Sequence, residues 1–233
     1  MHIQLTPRLA EIAALVPEGA RLADVGTDHA FLPLSLLLSG KIESAIASDL
    51  RTGPLAHARK NAEECGCLDK ISLRLGAGLE EIAAAECDTV TVAGMGGETI
   101  AQILRDAPWC KDGRHMLILQ PMTMIPALRQ FLWSQGFEIQ REAICTEGWR
   151  TYVILCAVGT GGHTAGVGKP LEACYCSSAL LEAPGAAAYL QTLLRRERNA
   201  LEGMLRGRQV AASRLSSQKQ IVQNLEHALE GKL

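Results

Sequence analysis

Four residues able to hold a small charged ligand, Asp24, Gly26, Asp28 and His29, fall within six positions of the stretch RLADVGTDHAFLP (21–33). Leu22, Ala23 and Val25 read as the end of a buried strand that Gly26 breaks, and Ala30 to Leu38 has the apolar density of a helix packed on a sheet. A strand, a glycine turn and a helix N-terminus bring unpaired backbone N–H groups and the positive end of a helix dipole to one point. The carboxylate of Asp24 beside those donors suits a ligand carrying both an ammonium and a carboxylate. Asp49 follows Gly26 by 23 positions, about where a nucleotide-binding sheet places an acid to accept both ribose hydroxyls. Plainer readings stand beside these: an ordinary β–turn–α unit with an incidental acid, and a surface aspartate ending a strand. A single glycine motif is a weak fingerprint.

These residues need a sheet to hold them, and the chain supplies one. Thr6-Pro7-Arg8 followed by Leu9, Ile12, Ala13, Leu15 and Val16 predicts a short amphipathic helix with Thr6 as its N-cap. Strands are expected at 43–48, ending in Asp49, then at 71–75, 89–92 and 116–119, with helices over 55–64, 79–85, 98–104 and 125–135. Gly94, Gly96 and Gly97 interrupt the segment after the fourth strand and allow backbone to approach a ligand closely. Successive β–turn–α crossovers define a parallel, doubly wound α/β sheet.

The end of the sheet discriminates between ligands. Residues 137–144 and 151–158 are both strand-like and are joined by only six residues, too few for a crossover helix, so the two strands must pair antiparallel. A parallel sheet closed by such a hairpin is the seven-stranded plan of class I S-adenosylmethionine (SAM)-dependent methyltransferases. The G-x-G-x-x-G of nicotinamide-binding folds is absent, since Asp28 stands where its second glycine belongs. The expected cofactor is SAM.

The 233 residues, 48% hydrophobic and 21% charged, suit a soluble chain with a substantial core. No apolar run approaches the roughly 18 residues of a membrane span, and the N-terminus lacks a secretory core, so a cytoplasmic location is expected. Eight cysteines include two C-x-C pairs but no zinc spacing, which favours reduced thiols and no metal. Residues 1–168 hold 14 Lys and Arg against 19 Asp and Glu, a net −5, while residues 169–233 hold 9 against 6, a net +3. GTGGHTAGVG (159–168) has linker composition. Beyond it, Leu190, Leu194, Leu201 and Leu205, then Leu215, Val222, Leu225 and Leu229, predict two helices zipped in an antiparallel coiled coil, reversing somewhere between Gly203 and Ser213. The expected organisation is a SAM-binding catalytic domain over 1–160 and a helical domain over 169–233.

In its motifs the sequence resembles the bacterial tRNA adenine-N1 methyltransferases that act on position 22 of the D-loop. LADVGTDHAFLP, Asp49 before GPL, LGAGL, VAGMGGETI, LILQP and EGWRTYVIL carry the resemblance, in order, across residues 3–158, and the helical tail looks like the family's C-terminal domain. The resemblance implies that Gly26, Asp28 and His29 line the methionine end of SAM. Asp49 with Leu50 would hold the ribose, Ala77 and Gly78 would lie by the adenine, Ala93 and Gly94 would also contact the cofactor, and Gly94 with Met95, Gly96 and Gly97 would shape the target pocket. Two departures stand out. Ala77 occupies a position where the family often has an acid, and Met122 one where relatives tend to be polar, which removes any hydrogen bond from that position.

The implied partner is tRNA. Adenine N1 has a free lone pair, so catalysis is chiefly positioning and electrostatics. Asp28 is the candidate to stabilise the cationic product and Phe31 to stack on the flipped base, unless it is a core residue. Arg8 is the candidate for a phosphate, as are Arg195, Arg196 and Arg198 in the tail. Two other readings remain: SAM-dependent methylation of a small molecule or protein, and a non-catalytic RNA-binding module. Oligomeric state is not legible.

Overall fold

The computed structural model describes residues 3–162, 168–207 and 209–231. Half of the 159–168 linker expectation, residues 163–167, lies outside the described residues. Seven strands, β1 (Ala20–Val25), β2 (Ile42–Asp49), β3 (Ile71–Leu75), β4 (Thr89–Gly96), β5 (Met116–Thr123), β6 (Phe137–Glu147) and β7 (Arg150–Gly159), form one sheet in the order β3-β2-β1-β4-β5-β7-β6. The first five pair parallel, and β7 runs antiparallel to both β5 and β6, as the short connection demanded.

Strand alternation sends apolar side chains to two layers. Leu22, Ile118 and Ile154 pack with α1 (Pro7–Leu15), α2 (Phe31–Leu38) and α3 (Thr52–Cys65) on one face. Ala23, Val90, Leu117 and Leu155 pack with α4 (Gly97–Asp106) and α5 (Ile125–Ser134) on the other. Thr6 caps α1 as expected, its Oγ1 accepting from the Leu9 N–H at 3.4 Å.

Three local expectations need correction. Residues 79–85 form no α-helix; a turn and a single 3₁₀ segment, Ala84–Glu86, link β3 to β4. That short connection must bury both Leu79 and Ile82, and it is tied down by Glu86, whose carboxylate accepts from the Ala83 N–H and from Arg74. The fourth and fifth strands do not end at residues 92 and 119: β4 runs to Gly96 beside a β5 that runs to Thr123, with register breaks at Met95. The β6–β7 connection shrinks to the two residues Gly148 and Trp149.

The C-terminal region opens with a 3₁₀ segment, Leu171–Tyr175, and α6 (Ser178–Glu182), neither of which the leucine spacing signalled. Then α7 (Ala186–Arg206) and α8 (Ala212–Glu230) pack on each other, reversing between Gly207 and Ala211. Their residues Leu190, Leu194, Val222 and Leu225 belong to the same apolar cluster as Val90 and Leu117, so the helices extend the core of the sheet.

One buried ion pair fastens this region. Arg129 on α5 and Glu142 on β6 are 1% and 0% exposed and meet through two parallel hydrogen bonds of 2.9 and 2.7 Å. Arg129 Nη1 also donates to the carbonyls of Cys174 and Tyr175, and the Ser177 hydroxyl, which caps α6, donates to Glu142. Because removing one member leaves the other charge buried and alone, Arg129→Ala or Glu142→Ala should lower unfolding free energy by about 3–5 kcal/mol in urea denaturation. The double change Arg129→Met/Glu142→Leu should recover most of that loss. Equal stability of the single variants and the parent would refute the assignment.

Candidate active site

β1 leads to α2 on one side of the sheet and β4 to α4 on the other, and their carboxyl ends diverge at the switch point of the strand order, where α/β sheets leave a crevice. A cavity of about 510 Å³ lies there. It is lined by Gly26 and Asp28 after β1, Asp49 and Leu50 after β2, Gly76, Ala77 and Gly78 after β3, and Ala93, Gly94 and Met95 in β4.

The turn after β1 has an unusual backbone. Gly26, Asp28 and Ala30 take positive φ values of 70°, 54° and 58°. For the alanine this region is sterically unfavourable, so the turn must be held by its surroundings. The Ser48 carbonyl accepts the N–H groups of Gly26 (2.8 Å) and Thr27 (3.0 Å), and Asn61 Nδ2 donates to the His29 carbonyl. The Ser48 hydroxyl donates to the Gly78 carbonyl at 3.1 Å. A Cβ on Gly78 would lie 2.9 Å from Ile103, which itself lines the cavity, so a larger residue would crowd this wall.

Three carboxylates serve different purposes. Asp49 is nearly buried at the end of β2; its Oδ1 accepts from the Arg51 N–H at 2.9 Å, which orients the group on the cavity wall. Asp24 lies deeper, and its two oxygens accept from the hydroxyls of Thr27 and Thr91, both at 2.6 Å. Burial pushes the Asp24 carboxyl above its ordinary range, against the two hydroxyl bonds that lower it. Asp28 is mainly exposed and lines both this cavity and a smaller one of about 110 Å³.

The smaller cavity adjoins the first through Val25, Gly26, Asp28 and Ala93. Arg8, Asp24, His29 and Phe31 line it. Phe31 is 39% exposed and therefore not a core residue. Its ring stacks with His29 at 5.3 Å, and His29 stacks in turn on His57 at 4.8 Å.

Other expected residues sit elsewhere or are already engaged. Arg8 Nη1 donates to Gln120 Oε1 at 2.8 Å, and its ring contact is with Tyr152 at 5.8 Å, so it is anchored rather than free to reach outward. Gly96 caps α4. Gly97 packs against backbone, where a Cβ would lie 2.8 Å from the Met124 carbonyl oxygen, and it does not line the cavity. Arg196 pairs with Glu197 and Arg198 with Glu226. Arg195 and Arg198 share one small cleft, whereas Arg196 lies in another groove, so the three do not form one patch. Met122 is not without a hydrogen bond, since its sulfur accepts from Gln120 Nε2 at 3.4 Å.

Gln120 escaped the sequence reading. It is fully buried, and its Oε1 accepts from both Arg8 and the Gly94 N–H (3.0 Å), which joins α1, β4 and β5 at the cavity edge. A lone amide ending the apolar run MLIL was the available signal. Thr99, Gln102, Ile103 and Asp106 on α4 also line the cavity, at helical spacings that place them on one face. Among the described residues no group of three or more His, Cys, Asp or Glu could hold a metal, and no helix is long and apolar enough to cross a membrane.

Residues 5–155 match the family model described as a methyltransferase domain. A tRNA (adenine(22)-N(1))-methyltransferase from Bacillus subtilis is 38% identical over 156 residues, spanning 67% of this chain and 66% of that relative. The crystal structure of the B. subtilis m1A22 tRNA methyltransferase superposes with a TM-score of 0.85 at 29% identity, covering 98% of this chain and 100% of that one. A Streptococcus pneumoniae protein solved in complex with S-adenosyl-L-methionine superposes at 0.79 with 32% identity, covering 97% and 100%. With the closing antiparallel hairpin and the cavity at the strand ends, these likenesses place the chain in the methyltransferase-domain family and, within it, in the bacterial tRNA (adenine-22, N1)-methyltransferase family.

Proposed function

We propose that this chain is a cytoplasmic enzyme that transfers the methyl group of SAM to N1 of adenine 22 in the D-loop of tRNA. The observation that carries the reading is the pair of joined cavities. The larger takes the ends of four parallel strands and a buried-edge carboxylate, and the smaller collects two carboxylates, a stacked aromatic pair and an arginine. The residues present fit SAM: positive-φ glycines open the walls, and Asp49 offers an acceptor for ribose hydroxyls. Ala77 and Gly78 present backbone to the adenine, and Asp24 and Asp28 put negative charge near the methionine end.

Bound there, SAM supplies an electrophilic methyl group on a cationic sulfur. Adenine N1 would take that methyl group with its own lone pair as the methyl–sulfur bond breaks and S-adenosylhomocysteine leaves, so none of the residues has to remove a proton first. What the chain supplies is alignment and charge. Gln120 fixes Gly94 and Arg8 relative to each other, which holds the rim between the two cavities. Asp28, shared by both, stabilises the adenine as its ring becomes cationic. Phe31 and His29 offer a stacked surface to a base that has left its helix. Unstacking costs a few kcal/mol, and an aromatic platform returns about 1–3 kcal/mol.

Incubation with unmodified tRNA and methyl-labelled SAM should yield N1-methyladenosine after digestion, and a tRNA bearing guanosine at position 22 should take up no label. Label in another nucleoside, or none, would sink the reading. Asp49→Ala should weaken SAM binding roughly 10- to 150-fold in titration calorimetry, the worth of about one charged hydrogen bond, without changing tRNA affinity.

Asp24 gives a prediction with a pH signature. Its folded-state pKa is raised, so ionising it opposes folding: the chain is favoured when Asp24 is protonated and loses that advantage as pH rises past the unfolded value of 3.8 towards the raised folded one. Asp24→Asn should therefore raise the melting temperature at neutral pH, with a gain that shrinks on acidification, while SAM affinity falls. A melting temperature below that of the parent at pH 7 would contradict the burial argument.

A further inference from the structure

The β6–β7 hairpin ends in a tight two-residue turn, and Trp149 at its tip is 85% exposed, the most exposed large apolar side chain among the described residues. The Arg150 guanidinium lies 4.6 Å from its ring centroid and forms no ion pair among the described residues. Beside them runs a groove of about 550 Å³, with Tyr152 on one wall and Tyr189 and Arg196 of α7 on the other. Arg150 and Arg196 are the charged residues of its lining, and no acid lines it, although residues 1–168 carry a net −5. Arg196 is partly neutralised by Glu197 yet stays 69% exposed.

Two bridges connect this groove to the site. In the β4–β5 ladder Met95, which lines the larger cavity, stands opposite Pro121, which lines the groove. Arg8, which lines the smaller cavity, sits over the ring of Tyr152. The site and the groove therefore meet at the carboxyl edge of the sheet.

We propose that this groove binds the single-stranded RNA flanking the target nucleotide, with an unpaired base stacked on Trp149 and phosphates held by Arg150 and Arg196. This rests on the tRNA reading above and adds where the strand runs. An exposed indole beside the unpaired Arg150, with the half-neutralised but exposed Arg196 across the groove, is what a single strand needs: stacking that tolerates any base, and cations for its backbone. The arrangement also gives α7 a part in the substrate surface through Tyr189, Thr192 and Arg196, spaced three, four and seven apart on one helix face.

The test uses the full chain and its Trp149→Ala, Trp149→Phe and Arg150→Ala variants. Affinity for transcribed tRNA is read by anisotropy with S-adenosylhomocysteine present, and SAM affinity by calorimetry. Trp149→Ala should weaken tRNA binding about 5- to 150-fold with SAM affinity unchanged, and Trp149→Phe should recover most of the loss. Arg150→Ala should lower the salt slope of binding by about one. A single-stranded oligoribonucleotide should quench tryptophan fluorescence in the parent and much less in Trp149→Phe. Parental tRNA affinity in Trp149→Ala, or no difference in quenching, overturns the groove while leaving tRNA methylation standing. Quenching at Trp149 in a protein that forms no N1-methyladenosine supports the groove and removes the functional reading instead. A Trp149→Ala variant that keeps RNA affinity but changes from dimer to monomer in sedimentation assigns the face to a second copy and overturns the proposal.

Discussion

The site depends on Ser48. Its carbonyl takes the two N–H groups of the turn after β1, and its hydroxyl donates to the carbonyl of Gly78 after β3. One buried residue thus fixes the glycine turn and the loop after β3, and it immediately precedes Asp49. Backbone conformations that cost free energy, the positive φ of Ala30 above all, persist because these contacts leave the turn no relaxed alternative. The cavity is therefore preformed, and binding need not order its walls.

Much of this was legible in local sequence. Strand β3 spans the residues that its apolar run indicated, Thr6 caps α1, and six residues between two strand-like segments left no option but an antiparallel hairpin. Each of these rests on neighbours in the chain, where propensity and connection length act directly. Asp28 and Phe31 were legible for the same reason, because the motif that names them is contiguous and the turn carries them together to the smaller cavity.

What stayed hidden is nonlocal. Residues 79–85 have a helical composition, but burying Leu79 and Ile82 over a short connection overrides it. Gln120 has no meaning until β4 and α1 bring Gly94 and Arg8 to its two sides. The candidate phosphate contacts Arg195, Arg196 and Arg198 are near neighbours in the chain, yet a helix turning 3.6 residues per turn points Arg195 and Arg198 to one cleft and Arg196 to another. The pairing of Arg129 with Glu142 spans two elements and was equally invisible, although it decides where the C-terminal helices sit.

That pair links packing to function. Arg129 and Glu142 bind the segment before α6, and α6 leads into α7, whose Tyr189 and Arg196 form a wall of the groove beside the hairpin. A well-packed apolar substitute could match the ion pair in stability but would not present hydrogen-bond partners to the Cys174 and Tyr175 carbonyls and the Ser177 hydroxyl. Those bonds fix the direction in which the chain leaves the sheet. The larger cavity is lined by residues between Val25 and Asp106, and none of the C-terminal helices reaches it. What the buried pair adds is a fixed place for α7, and with it the wall of the groove that Tyr189 and Arg196 form beside the hairpin.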